Sequence, residues 1–307
     1  MAKERLRQHK VQQVQNANDE AEEFTNYLEL LQSLHTECGA GWNWQDIART
    51  PPPATPVKAS RYEPHARAAL DSYVPGFFAK LFGGAKRIRQ DLEVQWARAR
   101  ATDEQEFQAA QQIFAREYGF WNTSVNIAPR VLKLELAGCR DALAHAEAFD
   151  ELATFSIKSN LVSVDDGIAC VECTAQSSEV VPSEEIKVTA GGKVSKKEMA
   201  IGKYWTIYQD HICSAAIRVA REVFAALPIE RAIVNVRSVR VDSRTGHLEP
   251  QTILGVHFVR QTLGKLRLDS IDPSDAMKNF PHRMKFKKAA GFETIEPVTP
   301  SEQWVTT

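Results

Sequence analysis

The feature that most limits what this chain can become is a change of hydrophobic period near Phe149. Upstream, apolar residues recur at three- and four-residue steps among alanine, glutamine and arginine. Downstream, LATFSIKSNLVSVDDGIACVECTAQSSEVVPSEEIKVTA alternates β-branched with polar residues in three or four short runs. Side chains share a face every 3.6 residues on a helix and every two on a strand, so the first pattern packs as helices and the second as strands. A chain that segregates the two reads as α+β. We expect a helical region over 1–149, followed over 150–307 by a mixed sheet packed by one long helix.

The helical region opens with an arm over 10–38. Val14, Ala17, Ala21, Phe24, Leu28, Leu31, His35 and Cys38 alternate spacings of three and four, the rhythm of a coiled-coil-like seam, and the flanks are charged or amide-rich. Such a stripe needs a partner, either a second copy or another protein. GAGWNWQDIARTPPPATPV then breaks the pattern and makes 39–60 a connector pinned by Trp42 and Trp44. Helices follow over 63–149. Asp103 with Glu106 three residues on reads as the capped start of one of them, lined by Phe107, Ala110, Phe114 and Tyr118. No repeat near 34 residues is present.

In the second region YWTIYQDHICSAAIRVAREVFAALP, 204–227, places Ile212, Ala216, Val219 and Val223 on one face, with His211, Arg218 and Glu222 opposite. RAIVNVRSVRVD and TILGVHFVR read as strands around the DSRTGHLEP turn. Val239 and Val241 fall out of phase with Val234 and Val236, which implies a β-bulge near Arg237 and Ser238. Asp272-Pro273 starts a short helix.

Composition excludes several classes. A net charge of -1 over 307 residues gives no global attraction to nucleic acid or an anionic membrane. No run of about 18 apolar residues offers a membrane span, and MAKERLRQHKVQQVQ lacks the apolar core of a signal peptide. Five cysteines without a secretory signal fit reduced thiols, so a cytoplasmic, prokaryotic-type protein is expected.

Four stretches could carry chemistry. In SEEIKVTAGGKVSKKEM, Glu185-Ile186-Lys187 follows the Asp165-Asp166 pair. Divalent-metal phosphodiesterases need an acid on one strand and Glu-x-Lys on the next to hold Mg²⁺ and place a lysine by the attacking water. The order of helix, strands, Asp166, Glu185 and Lys187, long helix and strand resembles the restriction-endonuclease-like core, which would imply nuclease activity with Mg²⁺ held by Asp166 and Glu185. The tripeptide is short enough to arise by chance, and Asp165-Asp166-Gly167 also suits a tight turn. The glycine pair lacks phosphate-loop spacing and reads as a chain reversal, with Ser195 and Glu198 capping a helix after it. Cys170-x-x-Cys173 and His35-x-x-Cys38 count to four zinc ligands, but an offset of three on a strand turns the two thiols to opposite faces. His211, on the polar face of its helix, and His247 and His257 form no triad and read as surface or satisfied histidines. The run 278–288 sets Lys278, Arg283, Lys285, Lys287 and Lys288 among aromatics, which suits a phosphate backbone or an acidic surface of the same chain. No residue set demands catalysis or a cofactor. The expectation is an interaction or assembly subunit engaged through its N-terminal helix, with the metal-dependent nuclease as alternative.

Overall fold

The computed structural model describes residues 2–77, 84–176, 178–242 and 245–302; the side chains of residues 2–15 and of Ala17 lie outside that description. The protein is α+β. Its contacts divide it into two compact units, Met1–Gln45 with Ile127–Thr307, and Asp46–Asn126. The change of period near Phe149 is thus the change from helix to strand inside the first unit. No helix among the described residues is long and apolar enough to cross a membrane.

The first unit begins with α1 (Ala2–Ser33), a 3₁₀ turn (Leu34–Thr36) and α2 (Trp44–Ile47), whose first two residues belong to it. The second unit holds α3 (Glu63–Asp71) and most of α4 (Gly84–Leu132). Asp103 does not begin a helix as expected, because α4 runs through it without a break. Its buried carboxylate instead accepts the backbone N–H groups of Arg61, Tyr62 and Glu63 at 2.9–3.2 Å and so caps α3 from a neighbouring helix. These are the donors that a helix start leaves unpaired. Burial alone would raise the Asp103 carboxyl, but the three amides outweigh it and hold the group below the ordinary carboxylate value. Trp96 completes the contact, donating to Glu63 at 3.3 Å with Arg67 stacked 4.9 Å over its ring.

The chain returns to the first unit through α5 (Leu136–His145) and α6 (Asp150–Thr154). A five-stranded sheet follows, built from β1 (Ile157–Asp165), β2 (Ile168–Ala175), β5 (Arg231–Val241), β6 (Leu248–Val259) and β7 (His282–Met284) in that spatial order. All neighbours are antiparallel except β2 and β5. A parallel pair requires a crossover, which α7 (Ile201–Ala226) supplies. The register of β5 on β6 shifts between Val236 and Arg237, where the apolar alternation slips. Between β2 and α7 the hairpin β3 (Glu184–Val188) and β4 (Val194–Glu198) forms a separate two-stranded sheet. Ser195 and Glu198 therefore lie in a strand rather than in a helix cap, while Gly192, at φ 71°, supplies the expected reversal.

One face of the sheet packs on α7. On the other, Val298 joins Ile168 and Ile233 in an apolar cluster. Asn235 fixes that segment by exchanging two 2.9 Å hydrogen bonds with the Val298 backbone. Gly255 leaves the room, since a Cβ there would come within 2.7 Å of the Asn235 amide oxygen. The tail adds α8 (Arg260–Leu263), α9 (Pro273–Ala276), capped by Asp272, and a small sheet of β8 (Phe286–Lys287) with β9 (Gly291–Phe292).

Candidate functional site

The partner of the N-terminal seam over its second half is the chain itself. Leu28 and Leu31 are buried against α7, and Ala21 and Phe24 are half-buried on the helix that also touches β3 and β4; Val14 and Ala17 fall outside the described side chains. Tyr27 donates to the Val180 carbonyl at 2.7 Å, and Glu20 pairs with Lys196 of β4 at 2.9 Å.

The polar side of α7 meets α1 rather than water. Gln32 donates to Asp210 at 2.7 Å, the Leu31 carbonyl lies 3.2 Å from His211 Nδ1, and Ser214 sits 2.8 Å from His35 Nδ1. His35 Nε2 faces the Leu268 carbonyl at 3.0 Å, which can only accept, so this histidine carries its proton on Nε2 and receives the Ser214 hydroxyl on Nδ1. Arg218 forks between Glu222 at 2.6 Å and Glu151 at 3.1 Å, and Glu222 also accepts the Gly39 N–H at 2.9 Å. His211 is thus a buried histidine and not a surface one. Burial drives its pKa down to about 4 against the opposing pull of the Leu31 and Phe155 carbonyls, and its Nε2 has no hydrogen-bond partner. Burial also lowers His35, and it raises Asp210 despite the Gln32 bond.

Glu185 and Lys187 do share a face of β3. The Lys187 ammonium lies 2.6 Å from one Glu185 oxygen and Lys203, in the first turn of α7, lies 2.9 Å from the other, which together bring its pKa to about 2. Both oxygens that a metal would use are therefore engaged by ammonium groups. Asp166 is at the exposed tip of the β1–β2 hairpin, at φ 50°, and its carbonyl accepts from Arg231 at 3.1 Å. That hairpin belongs to the five-stranded sheet and Glu185 to the two-stranded one. Among the described residues no three His, Cys, Asp or Glu side chains group as a metal site would require.

The basic run meets acids of its own chain. Lys278 pairs with Asp275 at 2.7 Å, Arg283 with Glu302 at 2.7 Å, and Lys287 with Glu293, while Lys285 and Lys288 are exposed. Cys173 is buried, and burial lifts its thiol to about 12 even though the Ser159 hydroxyl donates to it at 3.3 Å; Cys170 is half-buried.

Sequence reasoning passed over a cleft at the C-terminal end of α7. It is an open space of about 830 Å³ within the first unit, walled by Trp42, Trp44, Phe224, Leu263 and Leu266 and flanked by Arg221 and Arg260. The tryptophan rings stack at 5.1 Å, Trp42 donates its backbone N–H to the Ala225 carbonyl at 2.9 Å, and Trp44 donates its indole N–H to the Ala226 carbonyl at 2.6 Å. Arg260 donates to the Leu227 and Ile229 carbonyls at 2.8 Å and lies 5.1 Å over Phe224. These groups satisfy the carbonyls that a helix end leaves open. The GWNW motif was the available signal: two indoles beside two glycines in a connector can build a wall as well as an anchor. Comparisons of the chain with protein-family models, with curated proteins and with solved structures found no match.

Proposed function

We propose that this chain is an interaction and assembly protein, held by the second half of α1 and engaging a second copy of itself through the first half. One observation carries the reading. Among the residues whose side chains are described, Glu20, Tyr27, Leu28, Leu31 and Gln32 tie α1 to α7 and to the β3–β4 hairpin, and the same apolar seam continues in the sequence to Val14. A helix shorter than about 12–15 residues is marginal in water without a packed face, so the first half of the seam gains stability when a partner covers it.

Its charge pattern suits a copy of the same helix. Lys3, Arg5, Arg7 and Lys10 precede Asp19, Glu22 and Glu23, and two antiparallel helices would bring the basic stretch of each toward the acidic stretch of the other. Attraction of this kind is screened by salt. Light scattering tests the proposal on the full chain, on a chain lacking residues 2–13, and on the Lys3→Glu, Arg7→Glu, Lys10→Glu triple variant. The expected result is a mass above the monomer for the full chain at low salt, falling toward the monomer at high salt and in both variants. A monomer at every concentration in low salt would overturn it. Removal of residues 1–38 would not serve, because it takes away Leu31 and His35, which are core.

A further inference from the structure

The cleft at the end of α7 is independent of the assembly surface, and its chemistry is specific enough to name a ligand. We infer that it binds a small organic carboxylate with a flat apolar body, the body against the Trp42, Phe224 and Leu266 walls and the carboxylate on Arg221.

The volume of about 830 Å³ falls in the range of sites that enclose small molecules, about 300–1,000 Å³, and such sites pair apolar walls with a few placed polar groups. The cations differ in what they have left to give. Arg260 is spent on the Leu227 and Ile229 carbonyls and on the Glu230 carboxylate at 3.2 Å. Arg221 is anchored only through Nη1, which donates to the His35 and Glu37 carbonyls, and it forms no ion pair among the described residues. A guanidinium presents five donors in a fixed fork, so its other edge remains for a planar two-oxygen acceptor. The anchoring carbonyls hold the side chain in place without neutralising its charge. The Ala225, Ala226 and Leu227 carbonyls at the end of α7 already accept hydrogen bonds from Trp42, Trp44 and Arg260, so they do not compete for the Arg221 donors. A cation fixed beside apolar walls and lacking a carboxylate of its own favours an acid with an apolar body over a neutral hydrocarbon.

Gly41 gives a clean way to close the site. It lines the cleft, and a Cβ built there meets no atom within 4 Å, so a larger side chain would project into open space without displacing the fold.

Isothermal titration of the full chain with indole-3-acetate, and with tryptophol as the same ring bearing an alcohol, tests the assignment. Indole-3-acetate should bind, with tryptophol about ten-fold weaker or worse, the loss of one charge-assisted contact. Arg221→Gln should bring the two ligands to equal, weak affinity, and Gly41→Leu should abolish binding of both while leaving the unfolding midpoint unchanged. Absence of binding to the unaltered chain at millimolar ligand would overturn the proposal. So would undiminished binding to Gly41→Leu, which would place the ligand elsewhere, and equal affinity for the two ligands on the unaltered chain would overturn the carboxylate assignment.

Discussion

His211 shows what one residue costs when its surroundings are settled by a distant segment. With its pKa brought down to about 4 by burial, it stays neutral in the folded chain at pH values where an exposed histidine, near 6.5, takes a proton. The unfolded state therefore binds more protons between these values. Stability is complete above about pH 6.5 and falls as the pH drops toward 4, by up to roughly 3 kcal/mol from this group. Urea unfolding at pH 7.5 and pH 5 should show the loss, and His211→Asn should shrink the difference without removing it, because His35, His145 and His257 are lowered in the same direction by burial. An equal pH response in the variant would mean that His211 protonates freely. Its burial was not legible in its own helix, where His211, Arg218 and Glu222 form a polar face indistinguishable from a solvated one. Only the approach of α1, from nearly two hundred residues away, decides the matter. Asp103 taught the same lesson: an acid followed by Glu106 has the pattern of a local cap whether it caps its own helix or another.

At the scale of elements, α7 organises the first unit because it is covered on two sides, by the sheet on its apolar face and by α1 on its polar one. Its length, its apolar stripe and its place against the sheet were legible in the sequence, as was the slip in β5; its role as the crossover between the parallel strands β2 and β5 came only from the strand order. The β3–β4 hairpin was half legible: the glycine reversal was, but VSKKE carries the Ser and Glu of a capping box and only one apolar residue, so nothing local marks it as a strand. Only its pairing with EEIKV, which sets Val194 opposite Val188 and Lys197 opposite Glu185, shows it to be one. The Arg218–Glu222 pair makes the covering of α7 testable. Deleting the acid leaves a guanidinium in a site only 10% exposed, with Glu151, its other ionic partner, largely in solvent and a 3.4 Å bond to the Leu34 carbonyl. Glu222→Ala is expected to cost about 3 kcal/mol in chemical denaturation. A change below about 0.5 kcal/mol, the size typical of surface sites, would show the pair to be solvated.

The molecule as a whole should unfold in two steps if its two compact units are also two cooperative ones. Calorimetry of the full chain would resolve them. Asp103→Ala, which uncaps α3, should lower one transition, and Leu31→Ala, which opens a cavity beside α7 at a typical cost of about 2–5 kcal/mol, should lower the other. A single transition shifted equally by both substitutions would make the chain one cooperative block.

The docking of α1 on α7 has a consequence in time. Leu31 and His35 leave the ribosome ahead of the surface that buries them, which lies around Ser214 and Arg218, about 180 residues behind. At synthesis rates of about 5–20 residues per second that is a wait of roughly 10–40 s, far longer than a helix needs to form. During that interval the growing chain exposes an amphipathic helix whose apolar stripe has nowhere to go, and the same stripe is open to chaperones or to another nascent copy until α7 arrives.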